Sequence, residues 1–281
     1  MKNFSLSIYG NLILDQVLSL DSFPSEGFAS KIAKIYFVPG ASANIARAYH
    51  SITGNKASIY SCVGKDFSGE KILESISEYS NCNVKKVDGE TSTAVILANE
   101  TKATRTGLVK WGVCSEMNNF PNCDSQWKHF SYIDKLHNLT PEILSSLSGI
   151  KSVDFTSFDY NDIDRERIIG CLSEIDYVIS STEESCFLTK ADHVDDAVRM
   201  LGEYCKGYAI IHEKSGSYVS DGSSCVYVNC DHEILENISV LGAGDIFAAS
   251  FISSFKEELT IEEIAILSHQ KTFKLLGEIN D

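Results

Sequence analysis

From about residue 128 onward, strand-like stretches alternate with stretches of helical periodicity, and that rhythm admits few folds. Strand-like Phe130–Ile133 precedes a helix over Pro141–Leu147, with Thr140 as its N-cap and proline at the first helical position. Strand Ser152–Phe155, helix Asp164–Leu172, strand Tyr177–Ser180 and helix Asp192–Tyr204 follow. Strand Tyr208–His212 then leads into a hairpin over Ser217–Val228 that turns at Asp221-Gly222. Strands joined through helices run parallel and need cover on both faces, so the expected fold is α/β with a central, mostly parallel sheet.

The first half keeps the rhythm less strictly. Phe4–Ile8 and Ile13–Leu20 read as strands, Ala41–Ser51 as a helix, and Ala57–Val63 as a buried strand. Ser68–Tyr79 places Ile72, Leu73 and Ile76 on one helical face. Thr93–Asn99 and Thr106–Lys110 are β-branched and polar, closer to an exposed flap than to a core. The β material near residues 12–37 and 90–110 therefore reads as a small sheet grafted onto a single domain spanning residues 1–281.

Charge narrows the partners. The chain has 24 Lys and Arg against 39 Asp and Glu, a net charge of −15. Nucleic acid and anionic membranes need a basic patch that such a surface does not offer. A phosphate ligand stays open, because backbone N–H groups can hold one without Lys or Arg. The nine cysteines form no CxxC pair, which excludes a zinc ribbon and suits free thiols in a reducing cytoplasm. No run approaches the length of a membrane-spanning helix, and Met1–Tyr9 is too short and polar for a signal peptide.

The strongest chemical signal is Gly242-Ala243-Gly244-Asp245, followed at once by small and apolar residues of helical character. Gly-Ala-Gly at a helix start leaves N–H groups uncovered at the positive end of the dipole, a site for a transferring phosphoryl group. Asp245, in the first turn, is placed to accept a proton from an attacking hydroxyl. On spacing alone, a glycine-rich loop with a capping Asp explains the segment as well.

This segment and four others, in order along nearly the whole chain, resemble the ribokinase (PfkB) family of sugar kinases. Gly10-Asn11-Leu12-Ile13-Leu14-Asp15 is similar to the family's first strand, and Pro39-Gly40-Ala41-Ser42-Ala43-Asn44 to its Gly-Gly…Asn segment. Val63-Gly64-Lys65-Asp66-Phe67-Ser68-Gly69 resembles its Val-Gly-x-Asp-x-x-Gly turn, and Ser181-Thr182-Glu183-Glu184 its Asn-x-x-Glu motif. The resemblance implies a ribokinase-like three-layer sandwich with a small β lid, and ATP-dependent phosphorylation of a sugar-type hydroxyl. It implies Asp245 as base, with the Gly242, Ala243 and Gly244 amides as anion hole. Asp15, Gly40, Asn44 and Arg105 would serve the sugar, and Ser181, Glu184, Gly216 and Ser217 the nucleotide. Glu184 would hold Mg2+ through water, and a homodimer would form through lid residues such as Ile32, Ile35 and Phe37.

The chain departs from the family at several points. Ser239-Val240 stand where Asp-Thr is usual, which removes the expectation of potassium activation. Pro39 replaces the first of the paired glycines, and Ser181 replaces Asn. The nucleotide segment reads Ile211-His212-Glu213-Lys214-Ser215-Gly216, with Glu213 where phosphates would lie. His212 reads as a strand-end histidine, and Asp154 as a second-rank site carboxylate at a strand end. Val153-Asp154-Phe155-Thr156-Ser157, Ser181 and Lys271-Thr272 resemble fructoselysine 6-kinases more weakly. The expected acceptor is accordingly a ketose or fructosamine rather than a nucleoside. The competing expectation is a degenerate binder of sugar or nucleotide that transfers nothing.

Overall fold

The computed structural model describes residues 4–99, 104–156, 163–230 and 242–280. The chain enters as β1 (Leu6–Gly10), all five residues buried, and crosses Asn11 into β2 (Leu12–Leu20). β3 (Ile32–Ala41) returns antiparallel to β2 and passes directly into α1 (Ser42–Thr53). Then come β4 (Ala57–Gly64), α2 (Phe67–Ile76), β5 (Ser80–Val87), β6 (Ser92–Asn99) and β7 (Thr104–Lys110). The second half runs β8 (Trp127–Ser131), α3 (Pro141–Ser146), β9 (Ile150–Val153), α4 (Arg165–Leu172), β10 (Tyr177–Ser181) and α5 (Thr182–Thr189). It ends with α6 (Val194–Tyr204), β11 (Tyr208–His212), the hairpin β12 (Gly216–Ser220) and β13 (Cys225–Asn229), α7 (Ala243–Ser254) and α8 (Ile261–Asn280).

Among the described residues, nine strands form one sheet in the order β13-β12-β11-β10-β9-β8-β1-β4-β5. From β11 to β5 every neighbouring pair is parallel, and the β12–β13 hairpin adds an antiparallel edge. Strand alternation sends Ile8, Ile59, Ile179 and Ile210 into a core shared with Ile45, Phe247, Phe251 and Ile264 of α1, α7 and α8. Their neighbours Tyr9, Val178 and Ile211 face the opposite way, against Ile168, Leu172, Val198 and Leu201 of α4 and α6. The result is a three-layer α/β arrangement with helices covering both faces of the sheet.

β3, β2, β6 and β7 make a separate four-stranded sheet, packed around Ile13, Val17, Ala94 and Ile96. The Val63–Gly69 turn anchors this lid. The Asp66 carboxylate accepts from Gly69 N at 2.8 Å, Thr91 N at 2.8 Å and Thr91 Oγ1 at 2.6 Å, so it caps α2 and pins the entry to β6 at once. Burial works against its charge, but those hydrogen bonds win and hold its carboxyl below the usual range.

The elements differ from the sequence reading at several points, α5 and α8 among them, which it left unassigned. Ile133 lies in a short 3-10 turn rather than a strand, because Tyr132 before it takes a left-handed conformation (φ 57°). Phe155 falls beyond β9, which begins at Ile150. Edge strand β5, mostly exposed and polar, had no apolar alternation to betray it and is held by parallel pairing to β4.

Candidate active site

Parallel strands of an open α/β sheet deliver their C-terminal ends to one edge, where ligands are usually held. Here the ends of β10 and β11 and the turns after β8 and β9 open into a cleft of about 640 Å³ roofed by the lid. Asp15 and Arg105 reach it from the lid, and Asn44 from α1. Asp154, Ser181, Glu184 and His212 come from the sheet side, with Gly242, Gly244 and Asp245 at the start of α7.

Gly242 caps α7 in the left-handed conformation (φ 75°), so the amides that follow it lack intrahelical partners. A Cβ there would lie 3.0 Å from Asn44 Nδ2, so the absent side chain also lets α1 approach. Asn44 Nδ2 donates to Asp245 Oδ2 at 2.8 Å, and Arg47 Nη2 donates to Asn44 Oδ1 at 2.6 Å. Asp245 is 7% exposed. Burial, then the charge of Asp154, push its carboxyl up to about 8, against the Asn44 hydrogen bond and the charge of Arg105.

Asp15, on β2, is raised to about 7 by burial, with Arg105 and Arg47 pulling the other way. Gly40 lies beside it, and a Cβ on Gly40 would fall 2.5 Å from Asp15 Oδ2. That glycine makes room for the carboxylate, whatever it does as a hinge. Tyr132 stands among the acids: burial, then Asp245, Asp154, Asp15 and Glu184, push its phenol well above the usual range, so it remains a donor. Asp154 Oδ1 accepts from Tyr132 N at 2.6 Å, and its Oδ2 lies 3.2 Å from His129 Nε2. His129 Nδ1 in turn lies 2.8 Å from Ser152 Oγ, which accepts from Trp127 Nε1. Ser152 Oγ thus bridges the indole N–H and the imidazole, and the imidazole links that pair to Asp154.

Ser181 and Glu184 form a reciprocal cap on α5, Ser181 N donating to Glu184 Oε2 at 2.9 Å and Glu184 N to Ser181 Oγ at 3.3 Å. Glu184 is raised to about 8, chiefly by burial. Glu213 accepts from Thr182 Oγ1 at 2.8 Å and is absent from the cleft lining. His212 packs against Phe247 and is lowered to about 4 by burial and by His269, so a neutral imidazole lines the cleft.

Gly216 and Ser217 are not brought to the cleft. Both are buried at the start of β12, and the Ser217 hydroxyl pairs with His269 Nε2 at 2.9 Å. Arg105 is exposed but lines the cleft. Ser157, Ser239 and Val240 lie outside the described residues. Sequence reading missed Arg47, Tyr132 and Trp111. Only Arg47 had a local signal: three positions after Asn44, it shares a helical face with it.

The sequence profile described as "pfkB family carbohydrate kinase" matches residues 5–270. The chain is 25% identical over 250 residues to a cytidine kinase of Thermococcus kodakarensis, covering 86% of this chain and 88% of the relative. It superposes on adenosine kinase from Sinorhizobium meliloti with a TM-score of 0.79 at 19% identity, covering 99% and 95% of the two chains. Ribokinase from Thermotoga maritima gives 0.75 at 19% identity, with coverages of 95% and 90%.

Proposed function

The chain belongs to the pfkB family of carbohydrate kinases, and on that premise we propose that Asp245 is the base for transfer of the ATP γ-phosphoryl group to a sugar-type hydroxyl. The hydroxyl proton passes to the Asp245 carboxylate as its oxygen bonds to phosphorus and the bond to the ADP oxygen breaks. The Gly242, Ala243 and Gly244 amides receive the charge that gathers on the equatorial oxygens. One observation carries this reading: a buried carboxylate at a helix N-terminus, held by Asn44 and open to the cleft. A silent binder has no use for a carboxylate kept there at the expense of its own solvation.

Among the described residues, no three His, Cys, Asp or Glu side chains lie close enough to cage a metal ion. The donor set suits Mg2+ carried on nucleotide phosphates, with Glu184 reaching it through water. Bound there, the ion supplies positive charge to a cleft whose own acids would repel ATP. The lid excludes water, a competing acceptor.

For the acceptor, the walls favour a flat substituent on the sugar. Ile13, Ala94, Ile96, Trp111, Tyr132 and Phe155 make one side of the cleft apolar and aromatic beside Asp15 and Asn44. This shifts the preference toward a nucleoside, as in the cytidine kinase relative. A fructosamine is the second reading, favoured by Asp15 and Asp154, whose charges suit an amine. ADP release with ATP and magnesium across nucleosides, ketoses and fructosamines, beside Asp245→Asn, tests both. Turnover that collapses in the variant supports the base and identifies the acceptor; undiminished turnover in Asp245→Asn overturns it.

The exposed lid residues Ile32, Ile35 and Phe37 suit a lid-to-lid homodimer, which light scattering of Phe37→Glu against wild type would test. The nine free cysteines suit a reducing, cytoplasmic setting. Among the described residues, no helix is long and apolar enough to cross a membrane.

A further inference from the structure

Asn44 has an amide whose two ends are nearly the same shape but opposite in hydrogen-bonding sense. Left free, it could meet an ionised Asp245 with its N–H group or a protonated Asp245 with its oxygen, and so tolerate either state. Arg47 removes that freedom. A guanidinium only donates, so the Asn44 oxygen must face Arg47 Nη2, 2.6 Å away, and the amide nitrogen must face Asp245. Within this arrangement the amide donates most strongly to the ionised carboxylate and offers no acceptor to the O–H of the protonated acid.

We propose that Arg47 is a positioning residue that locks the Asn44 amide with its N–H group toward Asp245 and thereby favours the proton-accepting form of that carboxyl. The proposal rests on the reading of Asp245 as base, but the lock itself is a property of the unliganded protein. Arg47 sits one helical turn along α1 from Asn44, half-buried, and its charge also reaches Asp15. The other groups around Asp245 do not share this role. Asp15 on β2, Asp154 after β9 and Glu184 on α5 are acids in the same cleft, and Tyr132 after β8 is a neutral donor. Arg105 on β7 acts on Asp245 by charge, and His212 at the end of β11 is neutral. Among the described residues, Asn44 donates directly to Asp245, and that direction favours the ionised form.

The lock gives an unusual signature. Without Arg47 the amide can turn, the protonated acid gains a partner, and the midpoint of Asp245 rises. The loss of activity must then be large where the base is mostly protonated and shrink as the pH rises. A one-unit rise in midpoint corresponds to about tenfold in the ionised fraction below it. The experiment compares wild type, Arg47→Met and Arg47→Lys in kcat against pH, on the best acceptor of the panel above. Alongside, the Asn44 side-chain amide is followed by 15N–1H NMR in the free proteins, assigned by its loss in Asn44→Ser.

Expected for Arg47→Met is a kcat lowered about tenfold at pH 7 and within about twofold of wild type at pH 9.5, with most of the loss restored by Lys, which can still donate. The amide should titrate with Asp245 in wild type, fail to titrate in Asp245→Asn, and titrate at higher pH in Arg47→Met. A loss equal at all pH values, an amide midpoint unmoved in Arg47→Met, or a wild-type amide that ignores Asp245 overturns the lock. If wild type turns over no acceptor, the base reading fails by itself, and the NMR titration still decides the lock. Should Arg47→Met not fold, Arg47→Gln, whose amide can accept as well as donate, takes its place in both measurements, with the same expected rise in midpoint and the same overturning results.

Discussion

Asn44 and Asp245, 201 positions apart, meet where the amide nitrogen of one donates to Oδ2 of the other at 2.8 Å. The contact joins the N-termini of α1 and α7 through one hydrogen bond. Two opposing influences act on Asp245, the proposed base. The amide favours the ionised form, while burial and the charges of Asp154 and Asp15 favour the protonated one and prevail, at about 8. A base must be ionised, so kcat/KM should rise with pH through about 8 and level above it. Asp154→Asn removes the strongest opposing charge and should move that limb to lower pH, as a pH–rate series would record. A limb unmoved in the variant would show that Asp154 does not reach the base.

The same shift has a cost in stability whose sign is fixed by linkage. The folded-state pKa of Asp245 lies above that of an unfolded Asp, so its contribution is full at low pH and lost as pH rises through about 8. Asp15, at about 7, and Glu184, at about 8, act with the same sign. Asp245→Asn should therefore melt higher than wild type at pH 8.5, by on the order of 2 kcal/mol, and near wild type at pH 5. Thermal melts at the two pH values check this. A variant less stable than wild type at pH 8.5 would contradict the buried-charge account.

Gly40 predicts a separable effect on the acceptor. A methyl at that position would come within 2.5 Å of Asp15 Oδ2, and Asp15 is held from behind by β2. Gly40→Ala should push the carboxylate toward the cleft and raise the acceptor KM about tenfold or more, leaving the KM for ATP within about twofold. Steady-state kinetics with each substrate varied in turn would show it. Equal changes in both constants would instead point to a hinge defect.

Ser217 tests the opposite expectation, that a residue matched by motif stays out of the chemistry. Its hydroxyl is fully buried and bonded to His269 between β12 and α8. Ser217→Ala should cost about 1–2 kcal/mol in stability while leaving the KM for ATP unchanged, by denaturation and kinetics together. A raised KM for ATP at unchanged stability would return Ser217 to the nucleotide site.

Much of this was legible in the sequence because period and punctuation carry local structure. Thr140-Pro141 started α3 as expected, since caps are decided within a few residues, and the helix read from Asp164 begins one residue later with Asp164 as its cap. Asp15, Asn44 and Asp245 converge as the motif order implied. Arg47 and Tyr132 were not legible, because their importance lies in what they face across the fold. Tyr132 matters only because the chain turns left-handed there and carries the ring among four acids. Ser181 and Glu184 show the converse: a motif read as ligand-binding is also a capping box, and sequence cannot separate the two.

Ala41 closes the lid's connection to α1 with a backbone conformation that alanine avoids (φ 54°, ψ −124°), at the N-cap and with no side-chain cap. Such a conformation costs about 1–3 kcal/mol for a residue with a Cβ. Against that, glycine adds roughly 0.4–1 kcal/mol of unfolded-state entropy and forfeits a buried methyl worth about 0.8 kcal/mol. Ala41→Gly should thus leave stability within about 1 kcal/mol of wild type. Two residues on, Ala43 is equally buried but lies inside the helix, where the same deletion has strain to relieve nowhere. Ala43→Gly should lose about 1.5–2 kcal/mol, from helix propensity and the lost methyl together. Chemical denaturation of the two variants side by side decides it: equal losses would mean that Ala41 holds no strain. A looser joint should also let the lid open more freely, raising the acceptor KM in Ala41→Gly while its melting point holds.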